Sequence, residues 1–366
     1  MTKRPIAYYI TAHGYGHGVR SCDIIRALKI FEPERPLLII SDLGERFFRI
    51  RLGPALKGHN SIRQAAFDVG MVQKDSIRTD VDATLERMLA ICSRAKTLID
   101  DEVTFLRNRD AALVVTDIPG IPLEAAARAG IPGVAVGNFS WDWIYAPFIE
   151  RDARWAQVVD HFRDWYAKAD LLLRLPFSAD MSAFRRREDM PLLASPGKSR
   201  REELARQFGA DIERRWVLLS FTALSWERTA LERLSRLSAY EFFGIKPFDC
   251  PESCVHTIDP KEYPSKDAIA SVDVVLSKPG FGIVSECIVN RKPLIYADRS
   301  DFIEYPVLVN GIQRYLRQLH IPSDRLYAGD LEQFLDNIWR QADPPDVLQS
   351  GGAEIAASRI LSCARD

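Results

Sequence analysis

The stretch Ile6-Ala7-Tyr8-Tyr9-Ile10-Thr11-Ala12-His13-Gly14-Tyr15-Gly16-His17-Gly18-Val19-Arg20 decides the fold. Residues 6–11 are a short unbroken apolar run, the pattern of a strand buried on both faces. Three glycines in five positions then let the backbone take unusual conformations and approach a ligand closely. Ile24, Ile25, Ala27 and Leu28 carry a helix over residues 23–30. The N-terminus of the helix that follows the loop exposes unpaired N–H groups, a natural anion site. Arg20 stands in its first turn, where the macrodipole disfavours a cation, so an anionic ligand nearby would account for it. His13 and His17 are the residue type best suited to proton transfer near neutral pH. The competing reading is a tight turn whose histidines bond backbone carbonyls. The loop is neither a Gly-Lys-Ser/Thr phosphate loop nor a G-x-G-x-x-G fingerprint.

The same alternation runs outward from this stretch. Residues 37–41, 111–116, 133–136 and 171–175 read as strands. Residues 83–108 and 122–129 read as helices, and another helix begins near residue 151. A second series follows, with strands at 216–221, 272–276 and 293–297 and helices at 200–208, 283–289, 331–341 and 353–364. Short apolar strands alternating with helices predict an α/β protein whose parallel sheets are covered on both faces. At 366 residues the chain has room for two domains of roughly 150 residues each. The division predicted is a first Rossmann-like domain over 1–175, a connection over 176–198 and a second domain over 199–350. A C-terminal helix over 351–366 is expected to pack back on the first domain. The connection holds three prolines and the run Arg185-Arg186-Arg187-Glu188-Asp189, which reads as a solvated face. In such pairs of domains ligands sit beyond the strand ends.

Composition narrows the class. Hydrophobic residues make up 47% and charged residues 27%, which excludes intrinsic disorder, a collagen-like chain and a disulfide-stapled miniprotein. Lys+Arg is 49 against Asp+Glu 50, a net charge of -1, so nucleic-acid binding has no global electrostatic support. No run approaches the ~18 to 20 apolar residues that span a bilayer. Met1-Thr2-Lys3-Arg4-Pro5 leads straight into the first strand rather than a signal peptide. Six scattered cysteines without a framework spacing fit a reducing cytoplasm.

A second glycine loop, Ser277-Lys278-Pro279-Gly280-Phe281-Gly282-Ile283-Val284-Ser285-Glu286, again runs from strand into helix. Gly280 and Gly282 open the helix and offer N–H groups and positive dipole to a diphosphate, with Lys278 and Phe281 beside them. Glu286, about one turn in, can accept bonds from a ribose diol. The alternative is a Gly-rich connection with a dipole-friendly Glu. After the strand at 293–297 comes Asp298-Arg299-Ser300-Asp301-Phe302-Ile303-Glu304-Tyr305, whose Asp301 and Glu304 either bind sugar hydroxyls or cap a helix. Asp117 ends a strand and is an acid/base candidate or an N-cap. Asn138 and Trp141 end the next strand and either line an acceptor cleft or pack. Cys250, Cys254 and His256 have loose metal-like spacing but lack a fourth ligand, so no metal site is expected. Ser285 sits in no G-x-S-x-G elbow.

Three blocks carry a resemblance: residues 9–17, residues 138–145 (Asn-Phe-Ser-Trp-Asp-Trp-Ile-Tyr) and residues 277–286. Together they resemble a family of bacterial glycosyltransferases and the N-terminal glycosyltransferase-like half of plant L-arabinokinase. The kinase half is absent, so sugar kinase activity is not implied. More distantly the layout is similar to glycosyltransferase family 28, the lipid II N-acetylglucosaminyltransferase family. That resemblance implies the GT-B fold, two Rossmann-like domains facing across a cleft, with the donor held mainly by the second. It implies that His17 is the histidine near the acceptor, with Gly14, Tyr15, Gly16 and Arg20 around it, and that Glu286 holds the nucleotide ribose. It also implies no bound metal and no cofactor beyond a nucleotide diphosphate sugar, UDP most of all, as substrate. One departure is Ser220-Phe221-Thr222-Ala223-Leu224, where the family has a Gly-rich turn. The family's donor-sugar Gln pair is also not evident, and Asp301 or Glu304 would replace it.

The expected function is therefore glycosyl transfer to an acceptor, hexosyl or pentosyl and inverting, with His17 as base, Asp117 as its understudy and His13 beside them. The alternatives are a nucleotide-sugar epimerase or hydrolase on the same fold, or a noncatalytic sugar-nucleotide binder. The expected partner is a small-molecule nucleotide sugar, with no nucleic acid and no integral membrane segment.

Overall fold

The computed structural model describes residues 3–56, 58–72, 79–222, 224, 226–248, 254–298 and 303–365. They divide into two compact units, one running to residue 193 and including 351–365, the other Ala194–Ser350.

The first unit is built on a seven-stranded parallel sheet. Its strands are β1 Ile6–Ile10, β2 Leu37–Ser41, β3 Ser61–Arg63, β4 Leu113–Asp117, β5 Gly133–Gly137, β6 Leu171–Arg174 and β7 Arg187–Asp189. Their order is β3-β2-β1-β4-β5-β6-β7. Every residue of β1, β2, β4 and β5 is buried. Helices cover both faces of these central strands, which is why they read as unbroken apolar runs rather than alternation. The order reverses between β1 and β4, so the loops leaving their carboxyl ends diverge and open a crevice. The register pairs Ile10 with Asp117, which sets the histidine loop and that carboxylate side by side.

The second unit repeats the plan with six parallel strands. They are β8 Arg215–Ser220, β9 Tyr240–Ile245, β10 Val255–Ile258, β11 Val274–Ser277, β12 Leu294–Ala297 and β13 Gln318–Ile321, ordered β10-β9-β8-β11-β12-β13. Val217, Leu219, Leu276, Ile295 and Leu335 lie in its core. Here the reversal falls between β8 and β11. Ser277 pairs with Ser220 in the register, and its Oγ donates to the Ser220 carbonyl at 2.8 Å.

Several elements differ from the sequence expectation. The first helix, α1, is Tyr15–Phe31 and so begins well before residue 23. Gly16 and Gly18 in its first turn argue locally against helix, and tertiary packing overrides that propensity. The apolar pattern over 83–108 belongs to two helices, Val81–Ser93 and Ala95–Asn108, joined at Arg94. Strands β3, β7, β9, β10 and β13 were not expected. β3 (Ser-Ile-Arg) and β7 (Arg-Glu-Asp) are three-residue edge strands, too short and too polar for hydrophobic periodicity to show.

The stretch 176–198 is not mainly a connection. Arg187–Asp189 adds β7 to the sheet, and Met181, Phe184, Met190, Leu192 and Leu193 are buried in the first unit. Arg185, Arg186 and Arg187 are exposed. The helix Gly352–Cys363 belongs to the first unit and packs on α1. Arg359 grips Glu188 with two bonds of 2.8 and 2.7 Å.

The start of that helix is pinned by a close approach. The Gly352 amide donates to the Leu192 carbonyl at 2.9 Å, and a Cβ on Gly352 would stand 2.3 Å from the Pro191 carbonyl oxygen. Backbone cannot swing aside as a flexible side chain can. Gly352→Ala is expected to destabilise the chain by about 1–3 kcal/mol, read as a lower urea midpoint with unchanged slope.

Candidate active site

Asp117 ends β4 and is wholly buried. A carboxylate in that position needs compensation, and four side-chain donors supply it. Arg20 Nε donates to Oδ2 at 2.8 Å and Arg20 Nη2 to Oδ1 at 2.6 Å. Ser21 Oγ donates to Oδ2 at 2.9 Å, and His17 Nδ1 lies 2.8 Å from Oδ1. Arg20 Nη1 also donates to Asn138 Oδ1 at 2.7 Å, tying in the end of β5. His17 and Arg20, three apart on α1, present one helix face to this cluster. The anion that explains the early arginine is thus a protein carboxylate, not a bound ligand.

Charge follows from this geometry. Burial pushes the Asp117 carboxyl up, but Arg20 and His17 more than reverse it and hold it well below the usual carboxylate range. Burial, with Arg20 adding to it, lowers the His17 imidazole below its ordinary value, and Asp117 opposes them. An ionised Asp117 only accepts, so Nδ1 of His17 carries the proton and donates to it. The lone pair of neutral His17 is therefore on Nε2.

His13 has the opposite arrangement. Its Nδ1 accepts the Met71 amide at 3.1 Å, which leaves the neutral ring's proton on Nε2. Its ring meets Trp141 edge-on at 5.2 Å and lies 6.4 Å from the His17 ring. Trp141 is buried, stacks on Tyr145 and donates from Nε1 to Asp68 Oδ2 at 2.9 Å. Thr11 Oγ1 donates to Asp68 Oδ1 at 2.8 Å. Trp141 thus packs and bonds beneath the histidines rather than offering its face.

The glycines separate by what they face. A Cβ on Gly18 would meet Leu43 at 2.5 Å, and one on Gly70 would meet His13 Nδ1 at 2.3 Å. These two serve packing. Gly16 has no positive φ, and a Cβ there would meet nothing within 4 Å. Gly14 caps α1 at φ 77. Tyr15 is exposed and stacks on Phe47.

In the second unit, β11 leads through Lys278 and Pro279 into the helix Phe281–Val289, capped by Gly280. Gly280 is extended at φ -156, and neither it nor Gly282 would bring a Cβ closer than 4.0 Å to any neighbour. Among the described residues, neither conformation nor packing demands glycine at these two positions. Glu286 is half-buried on that helix. Glu304 begins the helix Glu304–Tyr315. Asp301 lies outside the described residues. Asp298 is engaged within the fold, accepting from the Ser323 amide at 3.0 Å and lying 2.6 Å from His320 Nε2. His256 pairs with Glu241 at 3.1 Å, and Cys250 lies outside the described residues. Among the described residues no group of three or more His, Cys, Asp or Glu side chains is placed to hold a metal ion. Among them, too, no helix is long and apolar enough to cross a membrane.

With this geometry in hand, known proteins are informative. The chain is 29% identical over 359 residues to L-arabinokinase of Arabidopsis thaliana, covering 96% of this chain and 33% of that protein. It thus spans about a third of that relative's length. A glycotransferase of kitacinnamycin shares 15% identity and a TM-score of 0.62, covering 99% of both chains. A transferase from Siraitia grosvenorii, solved with UDP, shares 10% identity and a TM-score of 0.61, covering 99% of this chain and 100% of that one. No family model matches the chain. The fold is that of GT-B glycosyltransferases.

Of the residues singled out from sequence, His17, Asp117, Arg20 and Asn138 form one bonded cluster, with His13 and Trp141 beside it. Lys278, Gly280, Phe281, Gly282 and Glu286 share one loop and helix of the other unit. Sequence reasoning missed Thr11, Ser21 and Asp68. Asp68 follows a three-residue strand, and its partners lie 57 and 73 residues away, so no local signal marks it.

Burial raises the Asp68 carboxyl from 3.8 to about 6; its bonds from Thr11 and Trp141 oppose the shift, and the charge of Asp117 adds to it. The folded state therefore holds this proton where the unfolded chain has released it. The stabilising contribution is complete below about pH 4 and is lost as pH rises through about 6. Asp68→Asn removes that loss. The stability of this variant relative to the parent is expected to rise between pH 4 and pH 7 in paired urea titrations; a flat difference would contradict the shift.

Proposed function

We propose that the chain transfers a glycosyl group from a nucleotide diphosphate sugar, a UDP-sugar first of all, to an acceptor hydroxyl. The observation that carries the reading is the His17–Asp117 pair at 2.8 Å, set at the carboxyl ends of β1 and β4 in a GT-B fold. His17 Nε2 takes the acceptor proton while Asp117 holds the ring and its tautomer. The acceptor oxygen forms its bond to the anomeric carbon as the bond from that carbon to the diphosphate breaks. The leaving diphosphate keeps the electron pair. A base that deprotonates the acceptor for direct attack gives inversion at the anomeric carbon.

On the donor side, the amides opening the helix Phe281–Val289, with Lys278, stabilise the growing negative charge without a metal ion. The open space over Gly280 and Gly282 supports this role. Glu286 accepts from the ribose hydroxyls, and Glu304, with Asp301, bonds the donor sugar. The Siraitia grosvenorii transferase solved with UDP favours uridine as the base. The similarity to L-arabinokinase brings pentosyl as well as hexosyl donors into the panel to be tried.

A thermal-shift screen of nucleotides and nucleotide sugars comes first, because a bound ligand raises apparent stability. UDP and UDP-sugars are expected to shift the transition most. With the donor found and an acceptor panel in hand, His17→Ala should lower turnover by about 10²–10⁴-fold and leave UDP affinity nearly intact. Glu286→Ala should weaken UDP binding by about 1–3 kcal/mol in calorimetry. Absence of any nucleotide-dependent shift, or a His17→Ala variant with full turnover, would overturn the reading.

A further inference from the structure

We propose that Arg20 is a positioning residue that sets the basicity of His17, by holding as its own counter-ion the carboxylate against which the imidazole rests. The proposal rests on His17 being the base and adds how strong that base is.

The geometry leaves little freedom. Arg20 is 6% exposed, His17 7% and Asp117 0%. The guanidinium takes both oxygens of Asp117 with two separate nitrogens and spends a third on Asn138 Oδ1. Its Nη2 also lies 3.0 Å from His17 Nδ1. A two-membered His–Asp pair gains net neutrality when the imidazole is protonated, because the carboxylate compensates the new charge. Here the carboxylate is already compensated. The trio is neutral before His17 takes a proton and carries +1 afterwards. An unbalanced buried charge is costly, so Arg20 weakens the base.

Among the described residues, the other groups around the ring do not change this count. His13, on the loop after β1, is the neutral Nε2–H tautomer. Phe139, after β5, meets the ring edge-on at 5.4 Å and carries no charge. Asp68, on the loop after β3, bonds to Thr11 and Trp141, and the charges that bear on His17 are those of Arg20 and Asp117. Among the described residues, the charged groups in contact with His17 are Asp117 and Arg20. The arrangement also keeps the orientation: Arg20 fixes Asp117, and Asp117 fixes the ring. Lysine would keep the charge but not the two-nitrogen grip.

The test needs no substrate. The chain has six histidines, so the ring C–H signals can be assigned by single substitution and titrated by NMR on the full ligand-free chain. In the parent, His17 is expected to titrate below 6.5. Arg20→Gln should raise its midpoint by about one pH unit or more, while Arg20→Lys should leave it within about half a unit of the parent. If Arg20→Gln fails to fold, Asn138→Asp keeps Arg20 and sets a carboxylate on Nη1; it should also raise the His17 midpoint. An unchanged or lowered midpoint in a folded Arg20→Gln or Asn138→Asp chain overturns the proposal. Because no ligand enters, that result would leave glycosyl transfer untouched, and failure to find a donor would leave the titration standing.

Discussion

A carboxylate with no solvent exposure organises the first unit. Asp117 would destabilise the fold by several kcal/mol as a lone buried ion. It survives because four donors converge on its two oxygens. That convergence in turn constrains the backbone. β1 must neighbour β4, and α1 must begin close to the end of β1 for His17, Arg20 and Ser21 to reach the same point. Gly18 then lets α1 settle against Leu43 and Phe47, where a side chain would collide. The helix start that local propensity argues against is fixed by the charge it must meet.

The two units use the same device at their glycine loops. In each, a strand beside the reversal in sheet order gives way to a helix with glycines in its opening turn. Gly16 in one and Gly280 and Gly282 in the other have neither a positive φ nor a close neighbour to explain them. Gly18 and Gly70 do have such neighbours. Among the described residues, space above the backbone thus sorts glycines whose neighbours demand them from glycines that nothing nearby demands, a distinction invisible in the sequence, where all read alike.

Much of the architecture was legible because central strands of a parallel sheet are buried on both faces and so appear as unbroken apolar runs. Ile6 to Ile10, Ala111 to Val115 and Val274 to Leu276 all show it. The edge strands β3 and β7 were not legible, being three residues long and held by their neighbours rather than by their own pattern, and neither was the interior β9, whose apolar run is broken by Glu241 and Gly244. At the site, His17, Arg20 and Asp117 were each conspicuous, yet their bonding was not. Arg20 looked like a cation awaiting a ligand, because its counter-ion lies 97 residues further along the chain. Asp68 gave no signal at all, since its burial depends on Thr11 and Trp141 coming together.

The tautomers settle what the paired histidines can do, which their spacing left open. Hydrogen bonds at Nδ1 have opposite sense in the two rings: His17 donates there to Asp117, and His13 accepts there from Met71. Neutral His17 therefore has its lone pair on Nε2, and neutral His13 has its proton there. For His13 to take up a second proton, Nδ1 would have to give up the Met71 amide, leaving that half-buried N–H without its partner. Only His17 takes a proton at Nε2 without breaking a bond to the backbone. The motif is thus chemically asymmetric, one neutral imidazole with its lone pair at Nε2 and the other with its proton there, although both are written as the same residue in the same short loop.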